Sequence, residues 1–198
     1  RISRPKKSLD KLKGLLKVRR KLPLLIAIPT TAGTGSEVTV ASVITDSDTH
    51  HKYTILDFNL IPEIAVLDPS CTLSLPPHLT STTGMDALTH AIEGYITKAA
   101  WKMTDMFHMQ AIKLIFENLP KAVNEKDEKA IENMALAQYI AGMGFSNVGL
   151  GIVHSMAHQL GAIYDTPHGI ANAILLPYVM KYNGEVCYER FREILTAL

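Results

Sequence analysis

A chain of 198 residues, 47% hydrophobic and 20% charged, is ordinary globular material, long enough for one to two domains of about 100–150 residues each. Its longest apolar run, Leu22 to Ile28, is broken by Pro23 and falls well short of the ~20 residues a membrane span needs, so a soluble cytoplasmic protein is expected, with neither a membrane nor nucleic acid as partner. Cys71 and Cys187 match no CxxC spacing and read as two reduced thiols rather than a disulfide framework.

The net charge of +1 hides an asymmetry: ten of the twenty Lys and Arg residues lie within positions 1–21 beside a single acid, Asp10, leaving a balance of −8 over the remainder. Leu9, Leu12, Leu15 and Leu16 recur there at helical spacing, which predicts an amphipathic surface helix with a solvated cationic face. The chain begins at Arg1 rather than Met, which reads as a missing true N-terminus. Leu24 to Ile28 ends at Pro29 and reads as a buried strand. Val38 to Thr45, Tyr53 to Leu56 and Ile64 to Leu67 follow as further strands. After Leu75-Pro76-Pro77 the periodicity turns helical, with helices expected over Leu79–Thr97, Thr104–Asn118, Glu128–Phe145, Gly151–Ala162 and His168–Tyr182. Two parts are therefore expected: an α/β part over 1–75 and a helical part over 76–198.

Two stretches are almost stripped of charge. From Pro69 to Ile92 the only Asp, Glu, Lys or Arg is Asp86, and from Asn133 to Met180 the only one is Asp165. Such stretches should be buried, yet they carry Asp86, His90, His154, His158 and His168. Burying a carboxylate and several imidazoles without partners costs several kcal/mol, and a shared divalent cation is one of few arrangements that satisfies them together. Asp86 and His90 are one helical turn apart, about 6 Å at their Cβ atoms. They could grip one ion, or could face water in a polar stripe with Thr83 and Glu93; spacing alone does not separate the two. His154 and His158 repeat the spacing, and burial favours the neutral imidazoles that metal binding needs. His154-Ser155-Met-Ala-His158 has the outline of the HExxH protease helix, but Ser155 stands where the general-base Glu belongs, so peptide hydrolysis by that route is not expected. His50, His51, His78 and His108 read as surface or packing residues. The run Ile28-Pro-Thr-Thr-Ala-Gly-Thr-Gly-Ser-Glu37 follows the first strand with the glycines and hydroxyls of a nucleotide-contacting loop, though such clusters are also plain turns, and it fits neither the Walker pattern nor GxGxxG.

These segments carry a resemblance. IPTTAGTGSE (Ile28 to Glu37), GMDALTHAIEGY (Gly84 to Tyr95) and GIVHSMAHQLGAIYDTPHGIANAILLP (Gly151 to Pro177) resemble the iron-containing (group III) alcohol dehydrogenases, over roughly Leu24 to Asn183. The resemblance implies the end of a Rossmann-like nucleotide-binding domain followed by an all-α metal-binding domain. This is a dehydroquinate synthase-like architecture, incomplete at both ends. It implies that Asp86, His90, His154 and His168 hold a divalent iron, with zinc or manganese as other occupants, and that His158 lies beside nicotinamide and substrate. Thr30, Thr31, Ala32, Gly33, Thr34 and Lys52 are implied to contact NAD. The expected activity is hydride transfer between a short-chain alcohol or diol, of the 1,2-propanediol type, and NAD, in a homodimer. Family members are about twice as long and begin with a GGGS-type loop that is not found here. A truncated non-catalytic metal-binding homologue, or a zinc-dependent enzyme of the glycerol dehydrogenase type, are the other readings.

Overall fold

The computed structural model describes residues 6–49 and 51–198. Five short strands come first: β1 (Gly14–Leu15), β2 (Ile26–Ala27), β3 (Ala41–Thr45), β4 (Lys52–Leu56) and β5 (Ile64–Ala65). Six helices follow: α1 (Ser70–Leu73), α2 (Pro77–Ile96), α3 (Lys102–Asn124), α4 (Glu128–Val148), α5 (Ile152–Ile163) and α6 (His168–Ala197). The expected order of an α/β part and then a helical part is what the chain adopts.

β3 and β4 form an antiparallel pair in the register Ala41 to Leu56 through Thr45 to Lys52, and β1 adds to β4 in parallel. Tyr53 and Ile55 point inward onto Leu12 and Val18 as a small core of their own, the two-residue alternation of a half-buried strand. β2 and β5 pair in parallel as a separate two-stranded sheet.

Three expectations for this part need correcting. The leucines of the basic end form no α-helix: Asp10–Leu12 is a single 3-10 turn, and Gly14 (φ +95°) and Leu16 (φ +54°) leave helical space so that Gly14 and Leu15 can pair with β4. Helical spacing was satisfied by chance, because a glycine used for its left-handed freedom ends the segment. The strand expected from Val38 starts at Ala41, after a 3-10 turn over Ser36–Val38. The strand expected to be buried over Leu24–Ile28 keeps two paired residues, and Leu24, Ile26 and Ile28 are each at least half exposed.

The helices follow local signals. Pro77 occupies the first turn of α2, where its missing N–H costs nothing. The Asp127 carboxylate accepts from Ala130 N at 2.6 Å and starts α4, and Gly149 at φ +79° ends it. α2 packs against α3, α4 and α6, and α5 against α6. Ala87, Ala91, Ile112, Ile115, Met134 and Val153 are almost fully buried between these helices. This core fixes the relative positions of α2, α5 and α6, which carry the charged and imidazole groups. Among the described residues no single helix is long and apolar enough to cross a membrane; α4 and α5 pass that test only jointly and are bent by 104°.

Candidate metal centre and its cleft

Asp86 and His90 lie one turn apart on α2, His154 and His158 one turn apart on α5, and His168 is the first residue of α6, released by Pro167. The three helices aim Asp86, His90, His154 and His168 at one point. The Nε2 atoms of His168, His154 and His90 stand 3.4, 3.5 and 3.8 Å from the single oxygen Asp86 Oδ1. Asp86, His154 and His168 can each offer one atom such that all lie within 4.8 Å of one another. His90 stands at the edge of that cluster, its ring stacked between His154 and Phe145 at centroid distances of 4.4 and 4.3 Å. Asp86, His90 and His154 are buried, and His168 is partly so.

The partners of the other ring nitrogens orient the set. His90 Nδ1 lies 3.3 Å from the Gly33 carbonyl and donates to it, and His154 Nδ1 lies 2.7 Å from Glu93 Oε2. Both arrangements leave Nε2 as a lone pair turned toward Asp86. Acceptors thus face an acceptor in a buried place, and only a proton, an amide or a cation can reconcile them. In this structure the amide of Asn172 does part of that: its Nδ2 donates to Asp86 Oδ1 at 2.6 Å and lies 3.2 and 3.3 Å from Nε2 of His154 and His168. One carboxylate with three imidazole nitrogens is a donor set that suits iron, zinc or manganese, so the residues present fit a divalent ion.

Electrostatics separates the histidines. Burial pushes the Asp86 carboxyl up, but the neighbouring His90, His154 and His168 bring it down to about 2. Burial lowers His90 to about 4 and lowers His168 as well. His154 differs: burial lowers it, but hydrogen bonds to Asp86 and Glu93 raise it above its ordinary value. It is the imidazole for which proton and cation compete. His158 makes no contact with Asp86 and stacks on His168 at 5.2 Å; burial, then the charges of His168, His154 and Lys52, lower it to about 4.

The cluster lines a cavity of about 870 Å³ together with Thr34, Val40, Val43, Lys52, Phe145, Leu150 and His158. Lys52 projects from β4 onto α5, where a Cβ at Gly161 would come within 2.7 Å of its Nζ. The expected nucleotide loop is divided. Thr34 reaches the cavity, whereas Thr30, Thr31, Ala32 and Gly33 are not on its lining. Ala32 is core, and a Cβ on Gly33 would stand 2.6 Å from the Thr83 carbonyl. His51 and His78 are exposed, His108 is completely buried, and His50 lies outside the described residues. Sequence reasoning gave no role to Glu93 or Asn172, although Glu93 follows Asp86 by seven residues and so shares its helix face.

Residues 80–198 match the description "Fe-containing alcohol dehydrogenase family, C-terminal", and residues 4–69 match "Iron-containing alcohol dehydrogenase". The chain belongs to the iron-containing alcohol dehydrogenase family. It is 53% identical over 183 residues to lactaldehyde reductase of Escherichia coli (strain K12), covering 92% of this chain and 48% of that protein. Among solved structures it superposes on a 1,3-propanediol oxidoreductase with a TM-score of 0.95 at 45% identity, covering 98% of this chain and 51% of the other. Sulfoacetaldehyde reductase from Bifidobacterium kashiwanohense in complex with NAD+ gives a TM-score of 0.84 at 36% identity, covering 98% and 53%. The chain thus spans about half the length of the relatives it matches.

Proposed function

We propose that this protein acts as an iron-dependent alcohol dehydrogenase, transferring a hydride between a short-chain alcohol or diol and NAD. The observation that carries this reading is the convergence of three imidazole Nε2 atoms within 3.8 Å of one buried carboxylate oxygen on the lining of a large cleft. Asp86, His90, His154 and His168 would hold the ion. When bound, the ion supplies Lewis acidity toward an alcohol or carbonyl oxygen, and NAD supplies the hydride acceptor.

The chain's own residues do the rest. Val40, Val43, Phe145 and Leu150 line the cleft with apolar surface and keep water from the reacting atoms. Lys52 and the Thr34 hydroxyl face the same space, and with Thr30, Thr31, Ala32 and Gly33 of the same loop they are the residues this reading assigns to the dinucleotide. His158 lies on the lining, held neutral by burial and by neighbouring positive charge. An unprotonated ring nitrogen there can take the alcohol proton and pass it to solvent. The same reading expects a homodimer acting in the cytoplasm. Lactaldehyde and propanediol relatives point to a short alcohol or diol as substrate.

The test uses the full-length protein with 1,2-propanediol, NAD and ferrous iron, following NADH, alongside metal analysis of the purified sample to separate iron from zinc and manganese. Turnover that disappears on chelation is expected; a full-length protein with neither bound metal nor activity would defeat the reading. His158→Ala should lower kcat about 100-fold while leaving metal content intact. Full metal with an unchanged rate and pH profile would remove the proton role.

A further inference from the structure

We propose that Glu93 is the positioning residue of this site: by accepting from His154 Nδ1 it fixes the tautomer and ring direction that turn His154 Nε2 toward Asp86. The inference rests on the metal-site reading above. α2 carries Asp86, His90 and Glu93 at positions i, i+4 and i+7, so one helix presents a carboxylate to each side of the His154 ring. The inner one, Asp86 Oδ1, is 3.5 Å from Nε2; the outer one, Glu93 Oε2, is 2.7 Å from Nδ1.

Glu93 is 2% exposed, and among the described residues no Lys or Arg pairs with it. Its carboxylate is instead wrapped by the start of α5. Oε2 accepts from Gly151 N at 3.0 Å and His154 N at 3.3 Å, and Oε1 accepts from Val153 N at 2.7 Å. A buried carboxylate gains most from being surrounded by donors in this way, and the positive end of the α5 dipole adds to it. The same residue therefore fixes both the helix that carries His154 and the ring at its end. Gly151 is shaped for this contact, since a Cβ there would lie 2.6 Å from Glu93 Oε1. The alternative His154 tautomer, with its proton on Nε2, would place that proton where a cation must sit and set two acceptors, Nδ1 and Oε2, against each other. Carboxylates that hold the far nitrogen of a metal-binding imidazole raise its basicity as well as aiming it.

A carboxylate that only capped α5 would alter stability but leave the imidazole tautomer alone, and that separates the two roles. In the full-length protein, Glu93→Gln keeps the shape but turns an amide N–H2 toward the α5 donors or toward Nδ1. Two quantities are read for wild type and E93Q: the Co²⁺ dissociation constant by chelator competition, and the His154 tautomer by ¹⁵N NMR of the metal-free protein at a pH where that ring is neutral. The expected results are Co²⁺ binding weaker by about 10- to 100-fold, and a shift from Nδ1–H in wild type toward Nε2–H in E93Q. A folded E93Q with wild-type Co²⁺ affinity and wild-type tautomer overturns the proposal. If E93Q fails to fold, Gly151→Ala, which pushes the carboxylate away without removing it, must show the same two changes or the proposal falls. A wild-type protein that takes up no Co²⁺ defeats the metal-site reading rather than this one. The tautomer comparison then decides alone, with unchanged Nδ1–H in E93Q counting against Glu93.

Discussion

His108 is as buried as any histidine in the chain and takes no part in the cleft. It is completely enclosed, both ring nitrogens lack hydrogen-bond partners among the described residues, and its ring fills the space between Gly94 of α2 and Gly144 of α4. A Cβ on either glycine would come within 2.3 Å of its Nε2, so Gly94→Ala should cost about 1–3 kcal/mol through overpacking, read as a fall in the urea midpoint. Burial lowers His108 to about 4, with the Asp105 charge opposing and Arg190 assisting. The folded state therefore refuses a proton that the unfolded chain accepts below about 6.5. The stability this residue allows is complete above that pH and is lost as pH falls toward 4, by up to about 3 kcal/mol. Unfolding free energies of wild type and His108→Phe, compared from pH 7 to 4.5, should diverge in that direction; parallel curves would contradict it. The sequence placed His108 among surface or packing histidines without deciding between them, because nothing local shows that two glycines 14 residues before it and 36 after it will meet its ring. Glu93 was obscured for a related reason: with Thr83, Asp86 and His90 it makes a polar stripe that water could equally have explained.

The loop after β2 shows what periodicity and composition can and cannot reveal. Its glycines and hydroxyls suggest nucleotide contact, and three of its residues, Gly33, Gly35 and Glu37, also strap helices together. Gly33 O receives His90 Nδ1 of α2, Gly35 N donates to Gln138 Oε1 of α4 at 2.7 Å, and Gln138 Nε2 donates to the buried Glu37 carboxylate. Gly35 sits at φ +59°, where a Cβ would meet Gly142 Cα at 2.9 Å. Gln138→Ala strands the Gly35 N–H and removes the one hydrogen-bond donor to the Glu37 carboxylate among the described residues, and should cost roughly 2–4 kcal/mol, measured by denaturant unfolding; a loss below about 0.5 kcal/mol would mean that water replaces the amide. The pairing spans about a hundred residues, beyond any local pattern. The long helices were legible because their apolar positions repeat at the helical period over many turns and because Pro76-Pro77, Asp127, Gly149 and Pro167 punctuate them. The short strands were less so. Two-residue β2 and β5 take their existence from each other, and the N-terminal leucines misled because Gly14 ends their spacing.

α2, α5 and α6 meet at Asp86, His154 and His168 although these residues are separated by up to 82 positions, so an ion bound there would add a further tie to segments already joined by apolar packing and by the hydrogen bonds of Glu93 and Asn172. At a free ion concentration about 100-fold above Kd the linkage is ~2.7 kcal/mol, which for a chain of this size raises Tm by roughly 5–10 °C. The expected outcome is a rise with Fe²⁺ or Zn²⁺ that chelator reverses and Asp86→Ala abolishes; an ion-independent Tm would count against the site. The sequence made this convergence visible through isolated charges in apolar stretches, while the order in which the helices surround the point came only from packing. The fan of backbone donors on Glu93 has a consequence for measurement. The amide protons of Gly151, Val153 and His154 all end on one carboxylate that also touches a ligand-bearing ring, and they exchange with solvent only when that junction opens. Their deuterium uptake should slow when an ion is bound, which makes three ordinary peptide groups a built-in gauge of metal occupancy, readable without substrate, cofactor or turnover.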